Sequence, residues 1–349
     1  MLRPMEGGGV YDHHNEYQMR GGLLHVELIA TAAAKIVPDD RRGSVVLADY
    51  GCAQGMVSNP LIRTAIERLR RAHPDVPMQV YHNDLLTNDW ASLFERLKSE
   101  AAYVNVPGGP VTPLVSATSF YEPVTPRGIV DLGLSFAAIQ WLSSPGPRGC
   151  GSALYFDQLK DEPRAEMARH AHADWTRFLE RRADELAPGS QLVLDMMGVS
   201  DAGTAAGHQA WRLVRDICEE MQREGLLDAA RLDGYVLPVY ERTADEVCRP
   251  FAEAIGARLR LEHLALVPVP SPFTERYQAD GDAGALAAGF AGFVGFFRAF
   301  SEPSLRDGLG LDDGAVEELY RRLAARIEAA AAEFVFNVHA LTLVIIRID

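Results

Sequence analysis

The chain has 349 residues, 48% of them hydrophobic, with 34 basic against 48 acidic side chains and a formal charge of -14. That is enough apolar sequence for one large core or two intimately joined domains, and the negative charge excludes a nucleic-acid backbone or an anionic membrane as the main partner, because both would repel it. Cys52, Cys150, Cys218 and Cys248 stand far apart with no C-x-x-C pair, which excludes a zinc or disulfide framework and fits a reducing cytoplasm.

Residues 1–18, MLRPMEGGGVYDHHNEYQ, hold no apolar run of the kind a signal peptide needs, so export by that route is not expected. Met19 to Ile36 favours helix and stops near Pro38, and Val45 to Ala48 is a short apolar run suited to a strand covered on both faces. Leu61, Ile62, Ala65, Ile66 and Leu69 form a helical stripe within Pro60 to Ala72, and Met78 to His82 reads as a second strand. The alternation continues with a helix over Trp90 to Lys98, strands over Ala101 to Val106 and Ile129 to Leu134, a charged helix from about Asp161 to Leu186, and a strand over Gln191 to Gly198. Such alternation predicts an α/β fold, a largely parallel sheet with helices on both faces.

The second half is mainly helical: Gln209 to Glu224, Thr243 to Ile255, Ala283 to Phe300 and Asp312 to Glu333, with strands at Arg258 to Val267 and Val335 to Ile348. The expected organisation is an α/β core over 1–205, a helical cap over 206–333 from which the strand at 258–267 returns to the sheet, and a final core strand in 334–349. The glycine-rich stretch Gly284 to Phe297 is shorter than the roughly 20 residues that cross a bilayer and reads as a buried helix lining a pocket.

The segment VVLADYGCAQG carries the most chemistry. Asp49 sits at the end of the first strand, and Gly51 and Gly55 let backbone pass close to a ligand. The spacing D-x-G-x-x-x-G differs from the dinucleotide G-x-G-x-x-G that closes around a pyrophosphate, so a cofactor without phosphate, such as S-adenosylmethionine, fits better. Asp84 ends the second strand, where an acid accepts hydrogen bonds from ribose hydroxyls. Each has a plainer alternative: Asp49 as a turn residue, Asp84 as a helix N-cap.

Several ordered motifs resemble the plant-type salicylate, jasmonate and theobromine methyltransferases, the SABATH family. They are MEGGGVYDHHNEYQ, LADYGCAQG, HNDLLTNDW, Ser119-Phe120-Tyr121, LSFAAIQWLS and the ending FNVHALTLVIIR, which together span almost the whole chain. The resemblance implies a Rossmann-like class I methyltransferase fold with a helical cap, and S-adenosyl-L-methionine as cofactor, leaving as S-adenosyl-L-homocysteine. It further implies that Tyr11, Asn15, Asp49, Gly51 and Cys52 contact the methionine half of the cofactor, Asp84 and Leu85 the ribose and adenine region, and Ser119 and Phe120 the adenine. Gln18 and Trp141 match the residues that hold the acceptor carboxylate, with Gln140, Trp211 and Phe297 around the acceptor; a homodimer is expected by resemblance only. Trp211 and Phe297 read equally as helix core, core packing is the plainer alternative for Trp141, and Phe290, Phe293, Phe296 and Phe297 would make the acceptor site apolar.

An ionised carboxylate needs no general base to attack a sulfonium methyl group, so an enzyme of this kind need only orient it and exclude water. The expected activity is methyl esterification of a small hydrophobic acid, aromatic, indolic or aliphatic. N-methylation of a small heterocycle, or a catalytically silent cofactor-binding protein, are the alternatives; a nicotinamide dehydrogenase lacks its glycine signature. No metal is expected: His170-Ala-His172-Ala-Asp174 imitates a metal motif, but i and i+2 on a helix point to different faces, and a solvated surface is the reading there.

Overall fold

The structure is a computed structural model and describes residues 16–269, 271, 283–330, 334 and 336–349, the side chains of 16–18, 283–288 and 290 excepted. Seven strands, β1 (Val45–Tyr50), β2 (Met78–Asp84), β3 (Val111–Ala117), β4 (Val130–Ser135), β5 (Leu186–Gly198), β6 (Leu259–Val269) and β7 (Val338–Arg347), form one sheet in the order β3-β2-β1-β4-β5-β7-β6. The first five run parallel, and β7 pairs antiparallel with both β5 and β6.

Every residue of β1 and of β4 is buried, as a strand covered on both faces requires. Side chains alternate between two cores: Val45 and Leu47 join Ile29, Leu61, Ile62 and Leu69 from α2 (Val26–Ala34) and α3 (Ser58–Arg70), while Val46, Ala48 and Tyr50 join Trp175, Phe178 and Leu179 of α5 (Asp161–Glu185). Each fully buried side chain of this type contributes roughly 1.5–3 kcal/mol. A third core gathers α6 (His208–Arg223), α7 (Ala229–Asp233), α9 (Ala283–Leu309) and α10 (Asp313–Ala329) around Trp211, Phe293, Phe297, Leu319 and Leu323. Among the described residues no helix is long and apolar enough to cross a membrane.

The structure corrects the sequence reading in three places. Residues 101–106 form no strand; Tyr103–Asn105 is a single 3-10 turn, and the strand lies beyond the next turn at β3, an edge strand that tolerates Pro113 because a missing N–H costs little at an edge. The expected helix Met19 to Ile36 is two, α1 (Glu16–Leu23) and α2, parted at Leu24-His25. The region 243–255 contains only the short helix α8 (Ala244–Cys248) followed by 3-10 turns at Arg249–Ala252 and Ala254–Ala257, since Pro250 cannot continue an α-helical ladder. One short helix, α4 (Trp90–Arg96), completes the framework and is capped by Asp89.

Candidate active site

Two clefts open at the carboxyl ends of the parallel strands, where an α/β sheet offers its binding crevice. Asp49, Gly51, Cys52, Asp84, Leu85, Ser119 and Phe120, seven of the nine residues expected at the cofactor, line the first. Tyr11 and Asn15 lie outside the described residues, and so does the side chain of Gln18, whose backbone belongs to α1.

Gly51 turns the chain out of β1 with φ +78°, and a side chain there would bring its Cβ to 2.5 Å from the Ala138 Cβ. The N–H groups of Gly51 and Cys52 both donate to Asn83 O at 2.9 Å. Asn83 in turn donates from Nδ2 to the carbonyls of Ser116 and Thr118, so one residue, through its backbone carbonyl and its side chain, fastens the ends of β1, β2 and β3 together.

Asp84 accepts the Ala53 N–H at 2.8 Å on one oxygen and the Leu85 N–H at 2.7 Å on the other. It does not cap α4, so the helix-cap alternative fails. Burial pushes its carboxyl up to about 6 despite these two donors, with the nearby Asp49 adding to the rise. The remaining lone pairs suit a diol: a carboxylate whose two oxygens are already fixed by backbone presents a rigid acceptor fork.

Asp49 is 1% exposed and lies 3.3 Å from His82 Nδ1, its register partner on β2. The far nitrogen of His82 is 2.8 Å from the Tyr103 hydroxyl. No local sequence signal marks this buried Asp49–His82–Tyr103 chain; the β1–β2 register supplies its Asp49–His82 half, and the 3-10 turn at Tyr103 supplies the rest. Cys52 completes a set of three ligand-type atoms with Asp49 and His82, all within 4.8 Å of one another. Both His82 nitrogens are already engaged, and burial, with Asp49 and Asp84 beside it, raises the Cys52 thiol well above its ordinary range. The cluster therefore serves as a neutral thiol and a hydrogen-bonded acid rather than as a set of free donors.

The second cleft is walled mainly by apolar side chains, among them Trp211, Tyr155, Phe296, Phe300, Leu237 and Val239, with Gln140, Asp195 and His339 as polar exceptions. Trp141, Phe136, Ala137 and Val57 belong to the walls of both clefts, so the two meet at this group. Trp211 is stacked on Tyr155, ring centroids 4.8 Å apart and 13° from parallel. Phe297 backs Trp211 at 4.8 Å and is fully buried; Phe296 and Phe300 take the wall position that the sequence reading gave it.

Trp141 lies beyond the end of β4, not in a helix, and four contacts fix its strand-like segment. It bridges to Val239, its N–H donates to Ala138 O at 3.0 Å, its carbonyl accepts the Tyr121 hydroxyl at 2.8 Å, and the next N–H, of Leu142, donates to Pro238 O. Asp174 secures the following residue, accepting both the N–H and the hydroxyl of Ser143 at 2.7 Å. Although burial works against it, the His170 and Ser143 donors hold the Asp174 carboxyl below its ordinary range. Asp174 is thus a buried anchor for the Trp141 segment, which corrects the reading of the His170–Asp174 stretch as a solvated surface.

A buried acidic fork at the second strand, a glycine turn after the first and an aromatic loop beside them define a class I S-adenosylmethionine-dependent methyltransferase. A family model described as SAM dependent carboxyl methyltransferase matches residues 3–347. Methyltransferase LUC1 of a Fusarium species is 27% identical over 72% of this chain and 67% of its own, and gibberellic acid methyltransferase 1 of Arabidopsis thaliana is 25% identical over 83% and 81%. A solved loganic acid methyltransferase with S-adenosylhomocysteine shares the fold over 99% of this chain and 98% of its own, with TM-score 0.81 at 17% identity. The chain belongs to the S-adenosylmethionine-dependent carboxyl methyltransferases, the SABATH family, and S-adenosyl-L-methionine is its cofactor.

Proposed function

We propose that this enzyme esterifies the carboxylate of a small, largely apolar acid with the methyl group of S-adenosyl-L-methionine. The observation that carries the reading is the meeting of a nucleoside-type cleft with an apolar cleft at Trp141, Phe136, Ala137 and Val57. The cofactor, when bound, supplies an electrophilic sulfonium methyl group.

In this reading Asp84 accepts the ribose hydroxyls, Leu85, Ser119 and Phe120 flank the ribose and adenine, and Asp49, Gly51 and Cys52, with Tyr11 and Asn15, surround the methionine end. Gln18 and Trp141 donate to the acceptor carboxylate, and neutral donors suit this task because they orient the anion without neutralising the charge that attacks. The apolar walls exclude water, and holding the two reacting groups in line supplies roughly 7–11 kcal/mol of the barrier reduction. Gly21, one turn beyond Gln18 on α1, lies in the acceptor wall, which supports the assignment of Gln18. Residues 206–333, apart from the strand at 258–267 that returns to the sheet, act as the cap over the acceptor, and the enzyme works as a homodimer in a reducing cytoplasm, a setting compatible with its four free cysteines.

The test is a panel of aromatic, indolic and fatty acids with labelled cofactor. Methyl ester formation is expected for at least one class, and Trp141→Phe, which keeps the ring and removes the N–H, should lower kcat/KM about 10- to 100-fold with S-adenosylhomocysteine affinity unchanged. Cofactor binding without ester from any acid would contradict the proposal.

A further inference from the structure

A polar pole of the acceptor cleft is built on the two sides of a single residue, Ala137. The Ala137 N–H donates to Asp195 Oδ1 at 2.5 Å, and the Ala137 carbonyl accepts from Gln140 Nε2 at 2.6 Å. Because a carbonyl only accepts, the end of the Gln140 amide beside Ala137 O is its NH2 group and the other end is an acceptor. That oxygen, Oε1, is buried without a hydrogen-bond partner, on a residue that is 4% exposed and lines the cleft.

Asp195 lines the same cleft and is 5% exposed. Its Oδ2 lies 3.5 Å from Nε2 of His25, a fully buried imidazole in edge contact with Phe136. His25 Nδ1 lies 3.0 Å from Gly21 O and 3.3 Å from Gly22 O, and two carbonyls require that Nδ1 carry hydrogen. At that separation Nε2 makes no hydrogen bond, so Asp195 Oδ2 has no donor among the described residues.

We infer that this pole selects acids that carry, besides the carboxylate to be methylated, a neutral hydrogen-bond donor such as a hydroxyl or a ring N–H, with Gln140 Oε1 and Asp195 as the acceptors that read it. The inference rests on the carboxyl-methylation reading above. An acid without the donor leaves these acceptors unpaired in the filled cleft, and sites built in this way discriminate strongly against the analogue that lacks the polar group.

The experiment compares matched acids, benzoate with its three hydroxybenzoates and naphthalene-1-acetate with indole-3-acetate. Binding to the protein loaded with S-adenosylhomocysteine is followed by calorimetry, and methyl ester formation is measured separately. The expected result is tighter binding of the donor-bearing member, by about 10- to 100-fold, in at least one pair. Asp195→Asn, which replaces an acceptor atom by a donor at constant shape, should collapse that preference by weakening the donor-bearing acid alone. Gln140→Met should act in the same direction and serves if the first variant does not fold. Equal binding in every pair, no binding by any member, or variants that weaken both members alike would overturn the inference. A preference in binding with no ester from any acid would instead sink the carboxyl-methylation reading and leave the selective pole standing.

Discussion

At the scale of single residues, the ribose contact proposed for Asp84 ties cofactor affinity to pH. Its buried carboxyl titrates near 6, and the ionised form is the one that accepts two ribose hydroxyls, so S-adenosylhomocysteine binding should weaken as pH falls through about 6. Asp84→Asn should bind more weakly at pH 7.5 and lose that pH dependence; a variant with the same pH profile as the wild type would remove Asp84 from the site. Stability moves the other way. The folded-state value lies above the ordinary 3.8, so the folded protein holds the proton to higher pH than the unfolded chain does. The contribution of Asp84 to stability is therefore best below about 4 and is lost as pH rises through about 6. Without cofactor, Asp84→Asn should raise Tm at pH 7.5 more than at pH 5, as removal of a strained functional group often does.

His82 belongs to the same scale and was invisible in the sequence. Asp49 and Asp84 were legible because each lies at the end of a strand, whereas His82 matters only through the register that sets it beside Asp49, and Tyr103 only through its contact with His82. His82→Leu should weaken S-adenosylhomocysteine binding by about 1–2 kcal/mol, the worth of a lost buried hydrogen bond, and leave the KM of the acid within twofold, where roughly equal losses in both would contradict a role confined to Asp49. Phe297 takes the core-packing alternative, for a related reason: helical spacing identifies the face of α9 but not which aromatic of that face reaches the cleft.

At the scale of elements, α5 holds the site together from one side of the sheet. Asp174 anchors Ser143 after Trp141, Arg182 donates to the carbonyls of Phe120 and Glu122, and Glu185 accepts from the Val124 N–H and the Tyr50 hydroxyl. Arg182 and Glu185 are paired at 2.9 Å and both fully buried, with the guanidinium 4.0 Å from the Tyr50 ring centroid. Arg182→Met leaves Glu185 buried and unpaired and should cost about 3–5 kcal/mol in denaturant unfolding, while Arg182→Met combined with Glu185→Met should recover part of it. Additive losses in the double variant would mean that the two residues act separately. The helix itself was legible from its length and charge pattern. Its inward-facing Asp174, Arg182 and Glu185 were not, because charged side chains on a charged helix give no sign of which ones are buried.

At the scale of the whole molecule, the β-α alternation was sufficient to foresee a parallel sheet with helices on both faces, and the resemblance supplied its class. β3 escaped because Pro113 and its half-exposed side chains give an edge strand little of the pattern that marks β1 and β4. The acceptor cleft escaped for a different reason: it is assembled from α1, the segment after β4, β5, α6, α9 and β7, and no local pattern announces that Asp195 on β5 meets His25 between α1 and α2. The cofactor half lies largely within 49–121, and is for that reason the half the sequence displays.

The central claim is esterification of a carboxylate, and the alkali lability of the product tests it most directly. The protein is incubated with methyl-labelled cofactor and the acid panel, and the labelled product is isolated and treated with mild base. The expected result is release of the label as methanol with return of the free acid. A labelled product that survives base, as an N-methyl group or an ether would, or no transfer to any acid by protein that binds S-adenosylhomocysteine, would contradict it.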